Sequence, residues 1–464
     1  MTGARHLGQA LAVAGAAAAA GLATLAAALA ASPVLALGVP LALIGAVVLL
    51  AQPFLGIAAL VFLGHLDSIE KLLFGFLPLS GFKALTAATL AAALLTAARR
   101  RDWIAGALRD PVVTCALLFG LLGTVSFLLA DERAVALSEM RKLASLITLL
   151  LLVVALVDTP RRLAAMMWIL IASSLVSALI LIADILLGTH LLATSEAATT
   201  AQSSEGFVRS SGASDQNPTT AASMLLVGVV MALVHAVETP RLRLALLAAA
   251  ALGTAALVMS FARSAAIAYA VAALWLGWRH RNARMAPLAG FGILVAALAA
   301  LPFVPAEYWK RLGTIFGAGG DWTLGRRLSY NLIGMRLFAE SPLFGIGPGN
   351  FAERFADPEF RYFPGRTLLG RELHNMYLSV LAQYGLAGAA AFCGMLGAAL
   401  AALRRVRRAP ANPAMRIWAG ALGLGFVAYL IASLFLPNEY TKYTWVLSGL
   451  AAALARVNRQ ELAR

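Results

Sequence analysis

Long apolar runs, punctuated by Arg, Pro, Gly and a few acids, organise this chain. They lie near 9–30, 33–51, 53–64, 81–98, 111–130, 138–157, 163–187, 219–237, 244–261, 264–280, 286–304, 376–403, 415–436 and 441–456. A helix of about 20 apolar residues, rising roughly 1.5 Å per residue, crosses the hydrocarbon core of a bilayer. The 53–64 run is too short for that and reads as half of a broken or re-entrant element with its neighbour. The runs do not alternate with period two, which argues against a spanning β-barrel. The pattern predicts an all-α polytopic membrane protein with about 12 (12–14) transmembrane helices and a long helical loop before the last three spans.

That reading divides the chain into four parts. An N-terminal transmembrane bundle (1–187) precedes a transmembrane core with a polar loop at 188–218 (188–304). A large loop with an amphipathic helix (305–375) and the C-terminal helices (376–464) follow. The Ala-rich run from Leu11 to Ala31 is long enough to span and leads into further spans, so no cleavable signal peptide is expected.

Composition agrees with the pattern: 61% of the 464 residues are hydrophobic and 13% charged, with a mean hydropathy of +0.82. The net charge of +15 would suggest nucleic acid in a soluble protein. Its placement removes that reading. With a cytoplasmic N-terminus, alternate short loops carry Arg99–Arg101 and Arg109; Arg161 and Arg162; Arg241 and Arg243; Arg279, Arg281 and Arg284; Arg404, Arg405, Arg407 and Arg408; and Arg456, Arg459 and Arg464. This follows the positive-inside rule, places both termini in the cytoplasm and leaves no nucleic-acid partner to invoke. Cys115 and Cys393 both fall in apolar runs, so neither a disulfide framework nor a cysteine metal site is indicated.

The opposite, periplasmic or extracellular side receives the loops His65–Lys83, Asp131–Lys142, Gly188–Pro218 and, longest, about Pro302–Leu373. Loops of this length usually have a function. The last holds nine cations from Lys310 to Arg371, where topology gives no reason for them, and so points to anionic ligands. Within it, Arg326–Pro342 has Leu328, Leu332, Met335 or Ile333, and Phe338 at helical spacing, with Arg326, Arg327 and Arg336 at the polar edges. An amphipathic helix at the membrane surface is expected there. Pro342 ends it, Gly345, Gly347, Pro348 and Gly349 form a turn-rich connector, and Asn350–Phe363 reads as a lid.

Three residues occupy the outer ends of apolar helices: Arg209, Arg263 and His374. A lone arginine there is commonly an anchor that snorkels, and a lone histidine an interfacial hydrogen-bonder. Anchoring arginines, however, favour the other face. The planar guanidinium fork suits phosphate or diphosphate oxygens, and an imidazole can take a hydroxyl proton. Arg326 or Arg327 would assist at a diphosphate. His65 and His190 also lie on the outer side but have no supporting motif. No HxxxH pattern, acidic cluster, Ser elbow or phosphate-binding Gly loop is present, so no metal and no cofactor is expected.

Four stretches in order, VRSSGASDQNPTTAA (208–222), SFARSA (260–265), GRRLSYNLIGMRLFAESPLFGIGPGNF (325–351) and HNMYLSVLAQYGLAG (374–388), resemble the O-antigen ligase and polymerase superfamily. The similarity covers mainly residues 205–405, and Ser264 stands where relatives often carry Gly. The resemblance implies a GT-C-like, metal-independent glycosyltransferase of the bacterial inner membrane, usually drawn with twelve spans and active as a monomer. Its donor would be O-antigen on undecaprenyl diphosphate, its acceptor a sugar hydroxyl of lipid A-core at the periplasmic face, and membrane lipids its surroundings. The family's essential outer-face arginines fall on Arg209 and Arg263 and its essential histidine on His374, the general base of an inverting transfer. Asn217, Arg336, Asn375 and Tyr377 would bind acceptor or support the site. Sister activities are an O-antigen polymerase and a protein O-oligosaccharyltransferase. A transporter of lipid-linked glycan would need ionisable residues inside spans, where Asp184 is the main exception.

Overall fold

The computed structural model describes residues 44–74, 80–97, 108–192, 209–214, 216–281, 322–363 and 371–464, with a few isolated positions elsewhere. The expected spans at 9–30 and 286–304, the stretch 193–208 of the polar loop, and Lys310, Arg311 and Arg366 lie outside the described residues. Among the described residues every regular element is helical. In order these are α1 (Ile44–Ala51), α2 (Pro53–Leu63), α3 (Asp67–Phe74), α4 (Gly81–Ala97), α5 (Pro111–Leu129), α6 (Arg133–Leu156), α7 (Pro160–Leu187) and α8 (Pro218–Glu238). They continue with α9 (Arg243–Met259), α10 (Arg263–Arg279), α11 (Trp322–Glu340), α12 (Asn350–Phe355), α13 (Met376–Arg408), α14 (Pro413–Ala432) and α15 (Lys442–Leu462).

Four long helices begin in the same way, because a short polar side chain accepts a first-turn N–H and a proline takes the first helical position. Asp110 caps α5, Thr159 caps α7, Asn217 caps α8 and Asn412 caps α14. The missing proline N–H would have been unpaired there in any case.

Among the described residues, six helices are long and apolar enough to cross a membrane: α5, α7, α8, Pro240–Met259, α13 and Pro413–Phe435. The chain is therefore a polytopic membrane protein. A seventh crossing results if α1 and α2 are taken together, but they meet at 112°, the broken element that the short 53–64 run suggested. Beside these, α6 packs on α5 and α15, and α10 packs on α8 and α14. The bundle is centred on α8, buried along almost its whole length between α7, α9 and α14.

The helix ends sort onto two faces. One collects Arg279, Arg407, Arg408 and Arg416 with the C-terminal end of α15, where Arg456 donates to the Val157 carbonyl at 3.2 Å. The other collects the starts of α8, α10 and α13, and so carries Asn217, Arg263 and Asn375.

One helix departs from the sequence reading. The 376–403 run is not a single straight span, because α13 breaks at Gly385, where φ is +63° and ψ −168°. The Ser341–Asn350 segment docks on the break: Ile346 and Gly347 donate to the Ala382 and Gln383 carbonyls, and Leu386 and Ala387 donate to those of Pro342 and Leu343. A Cβ on Gly385 would collide with the Leu343 carbonyl, and one on Gly345 with the Gln383 backbone. What reads as a flexible Gly-rich connector is a clasp that satisfies the peptide groups freed by the broken helix.

Candidate functional site

The Arg209 loop is fastened to the bundle before it presents its arginine. Asp184, near the end of α7, accepts the Ser210 hydroxyl at 2.5 Å and the Leu191 N–H at 2.8 Å. Ser210 Oγ in turn accepts the Gly212 N–H at 2.8 Å. Gly212 has φ +63° and lies so near α7 that a Cβ would stand 2.5 Å from the Ser177 carbonyl. On the far side, Ser68 donates to the Ala213 carbonyl and Gln216 to Asp67. Asp184, the one acid that stood out within a span, is thus a clamp for this loop.

So held, Arg209 is 9% exposed. Its Nη2 donates to Thr219 Oγ1 at 3.1 Å, and both Nε and Nη2 reach the Ser260 carbonyl at 3.4 Å. Ser260 belongs to the turn between α9 and α10, three residues before Arg263, the next phosphate-binding candidate, leads α10. The structure therefore joins VRSSGASDQNP and SFARSA physically, through Arg209 and a main-chain oxygen.

That turn is strained. Phe261 has φ +54°, a left-handed conformation that is an outlier for an aromatic residue, and its ring is buried against Ile185 and Val258. The conformation sets the Ser260 carbonyl toward Arg209 and starts α10 at Arg263. Ala262 contributes no side-chain cap, so the first-turn N–H groups of α10 and the half-buried Arg263 face the same end. The hydroxyls of Ser211 and Ser264 are buried here and have no hydrogen-bond partner among the described residues. The two joined segments thus carry two guanidiniums, a helix N-terminus and two buried hydroxyls, groups of the kind that bind anions.

His374 is built from the other side. Asn375 caps α13 by accepting the Tyr377 and Leu378 N–H groups at 3.1 and 3.2 Å. Leu373 fills the space above Gly334 of α11, and the His374 ring lies 5.5 Å from that of Tyr330, which also contacts Phe355. Tyr330, Ile333, Leu337, Ile346, Phe351 and Phe360 belong to a separate small core beneath the long loop. The loop is thus a folded unit that grips the start of α13. The Tyr377 hydroxyl donates to the Leu430 carbonyl at 2.9 Å, tying α13 to α14.

The long loop uses some of its cations internally. Arg354 bonds Glu340 at 2.8 Å and Asp357 at 2.7 Å and approaches Asp131 at 3.6 Å. Arg336 pairs with Glu359 at 3.6 Å and lies over the Phe360 ring. The role of these two is to hold the loop together. On α11, Leu328, Leu332 and Met335 are exposed along one stripe, while Tyr330, Ile333 and Leu337 are buried along another, so the helix has two apolar faces. Arg327 lies half-buried on it, and Arg326 belongs to the same helix with its side chain outside the described residues. His65 is buried against Tyr443 and Ser174, a core position.

Sequence reasoning missed Glu439. It sits in the short turn between α14 and α15, 4% exposed, and accepts the Ser379 hydroxyl at 2.5 Å. Ser379 Oγ accepts from Gln383 at 2.7 Å, and Gln383 Oε1 accepts the Gly349 N–H. One buried chain of hydrogen bonds thus links the last loop, the first turns of α13 and the clasp. Burial pushes the Glu439 carboxyl up to about 8. An acid alone in a short outer turn was the available signal. No cluster of three or more metal-ligating side chains occurs among the described residues.

These features define a polytopic membrane protein with Arg209, Arg263 and a histidine at the helix ends opposite its arginine-rich face. The family model described as O-Antigen ligase matches residues 247–393, from α9 through the long loop and into α13. No curated protein matches the chain.

Proposed function

We propose that the chain is an O-antigen ligase that transfers a glycan from undecaprenyl diphosphate to a sugar hydroxyl of lipid A-core at the periplasmic face of the inner membrane. The observation that supports this reading is the joining of Arg209 to the Ser260 carbonyl, which brings the two arginine motifs into contact. Arg209 and Arg263 hold the diphosphate, with the Ser211 and Ser264 hydroxyls as further donors. As the bond from C1 to the diphosphate oxygen breaks, the electron pair leaves on the diphosphate, and fixed cations stabilise it by a few kcal/mol per donor. His374 takes the acceptor hydroxyl proton while that oxygen attacks C1 from the opposite side, which inverts the anomeric carbon. Arg326 and Arg327 assist at the diphosphate, and Asn217, Asn375, Tyr377 and Arg336 support the surrounding structure. The polyprenyl chain remains among the spans, since exposure costs about 0.8 kcal/mol per CH₂.

The test is reconstituted transfer in EDTA, with purified protein, an undecaprenyl diphosphate-linked glycan and lipid A-core, products being resolved by gel and mass spectrometry. Glycan on lipid A-core supports the ligase. Longer lipid-linked glycan would identify a polymerase, and glycan on a protein acceptor an oligosaccharyltransferase. Movement of lipid-linked glycan across the membrane with no covalent product would identify a transporter.

A further inference from the structure

On the face opposite Arg263, the structure holds a feature that glycan transfer does not use. A groove of about 270 Å³ runs along α14, which forms its floor, between walls supplied by α10 and α13. It reaches from Ile431 to Ala419, about 18 Å at 1.5 Å per residue, which is more than half the thickness of a hydrocarbon core. Its walls are apolar except at one end, where Arg404 and Arg407 close it. Gly420 and Gly423 give it depth: a Cβ on Gly420 would stand 3.8 Å from the Arg407 guanidinium, and one on Gly423 3.9 Å from Leu403.

At that end the groove opens onto a cleft lined by Arg279, Arg404, Arg407, Arg408 and Arg416. Trp275 stands among them, with Arg279 at 5.7 Å and Arg407 at 5.6 Å from its ring. The acid bordering the adjoining cleft, Glu238, is already 3.6 Å from His280. A topology signal requires arginines in these loops but does not require five of them around one cleft. Five cations converging on the mouth of an apolar groove call for an anion attached to a hydrocarbon chain.

We propose that this groove binds an anionic phospholipid of the leaflet next to the arginine face, its phosphodiester held by Arg404, Arg407 and their neighbours and one acyl chain lying along α14. The polarity of the groove selects this occupant over a polyprenyl diphosphate. Such a lipid would carry its charge at the Arg263 end of α10, and the arginine cleft lies at the Arg279 end, about 24 Å away along that helix.

The experiment is native mass spectrometry of the full-length protein released from detergent in the presence of dioleoyl phosphatidylglycerol or phosphatidylcholine. The wild type should retain phosphatidylglycerol in preference, and Arg404→Gln combined with Arg407→Gln should lower that retention about 30-fold. Gly423→Leu, which fills the groove and leaves the arginines in place, should lose bound lipid as well. Melting in phosphatidylcholine nanodiscs monitors folding of both variants. Equal retention of the two lipids by the wild type, or an unchanged preference in the double variant, would overturn the proposal. So would displacement of phosphatidylglycerol by undecaprenyl phosphate, which would make the groove a polyprenyl site.

Discussion

Thr219→Val tests whether Arg209 acts through its geometry as well as its charge. The substitution keeps side-chain volume and the N-cap of α8, which uses the Thr219 backbone N–H, and removes the hydroxyl that accepts from Nη2 at 3.1 Å. A hydrogen bond to a charged group contributes about 1.5–3 kcal/mol. The two bonds to the Ser260 carbonyl, both 3.4 Å, remain and keep the guanidinium nearby, so the lower end of that range applies. At roughly 1.4 kcal/mol per decade of rate, kcat should fall about 10- to 30-fold. The assay is initial-rate transfer in proteoliposomes, with size-exclusion profiles and melting temperatures matched to wild type. Arg209→Ala, which removes the cation itself, should fall much further. Turnover of Thr219→Val at the wild-type rate would refute the argument that the fork must be held in place.

His374→Ala should lower transfer by about 10²- to 10⁴-fold while leaving retention of the diphosphate donor unchanged, as measured by donor binding to the purified protein. Gly385→Ala should reduce the yield of monodisperse protein on size exclusion, since the φ and ψ of that residue are open almost only to glycine and cost about 1–3 kcal/mol otherwise, before the collision with Leu343 is counted. Glu439 supplies a pH prediction. Its folded-state value of about 8 lies above the 4.5 of a free carboxyl, so the folded state binds more protons. The stabilisation is complete below about 4.5 and is lost as pH rises through about 8. The wild-type melting temperature should therefore fall across that window, and Glu439→Gln should flatten the decline.

Local chemistry was legible in the sequence. The apolar runs placed the starts of α5, α7, α8 and α14 within about three residues, and hydropathy alone gave the membrane class and the doubtful 53–64 half-helix. The grouping of Arg209, Arg263 and His374 at helix starts, away from the arginine-rich loops, followed from the alternation of the runs. What could not be read depends on contacts distant in the chain. Gly385 sits in a run that hydropathy treats as one helix, and only the Ser341–Asn350 segment explains why it breaks. The pairing of Arg209 with Ser260 spans 51 residues, and that of Ser379 with Glu439 spans 60. The apolar stripe Leu328, Leu332 and Met335 was visible by period, but a second stripe on the same helix chose the docking side.

The network that ends at Glu439 also sets an order of assembly. During synthesis Arg209 and its acceptor Ser260 emerge first, whereas the network of α13 just after His374 needs a carboxyl from the turn before α15. Until that last helix has inserted, the Ser379 hydroxyl lacks its acceptor at Glu439, although the clasp can already bond Gln383. The Arg209–Ser260 contact can therefore form before the Ser379–Glu439 bond closes, and a nascent chain completes the hydrogen-bond network of α13 only as one of its last acts of folding.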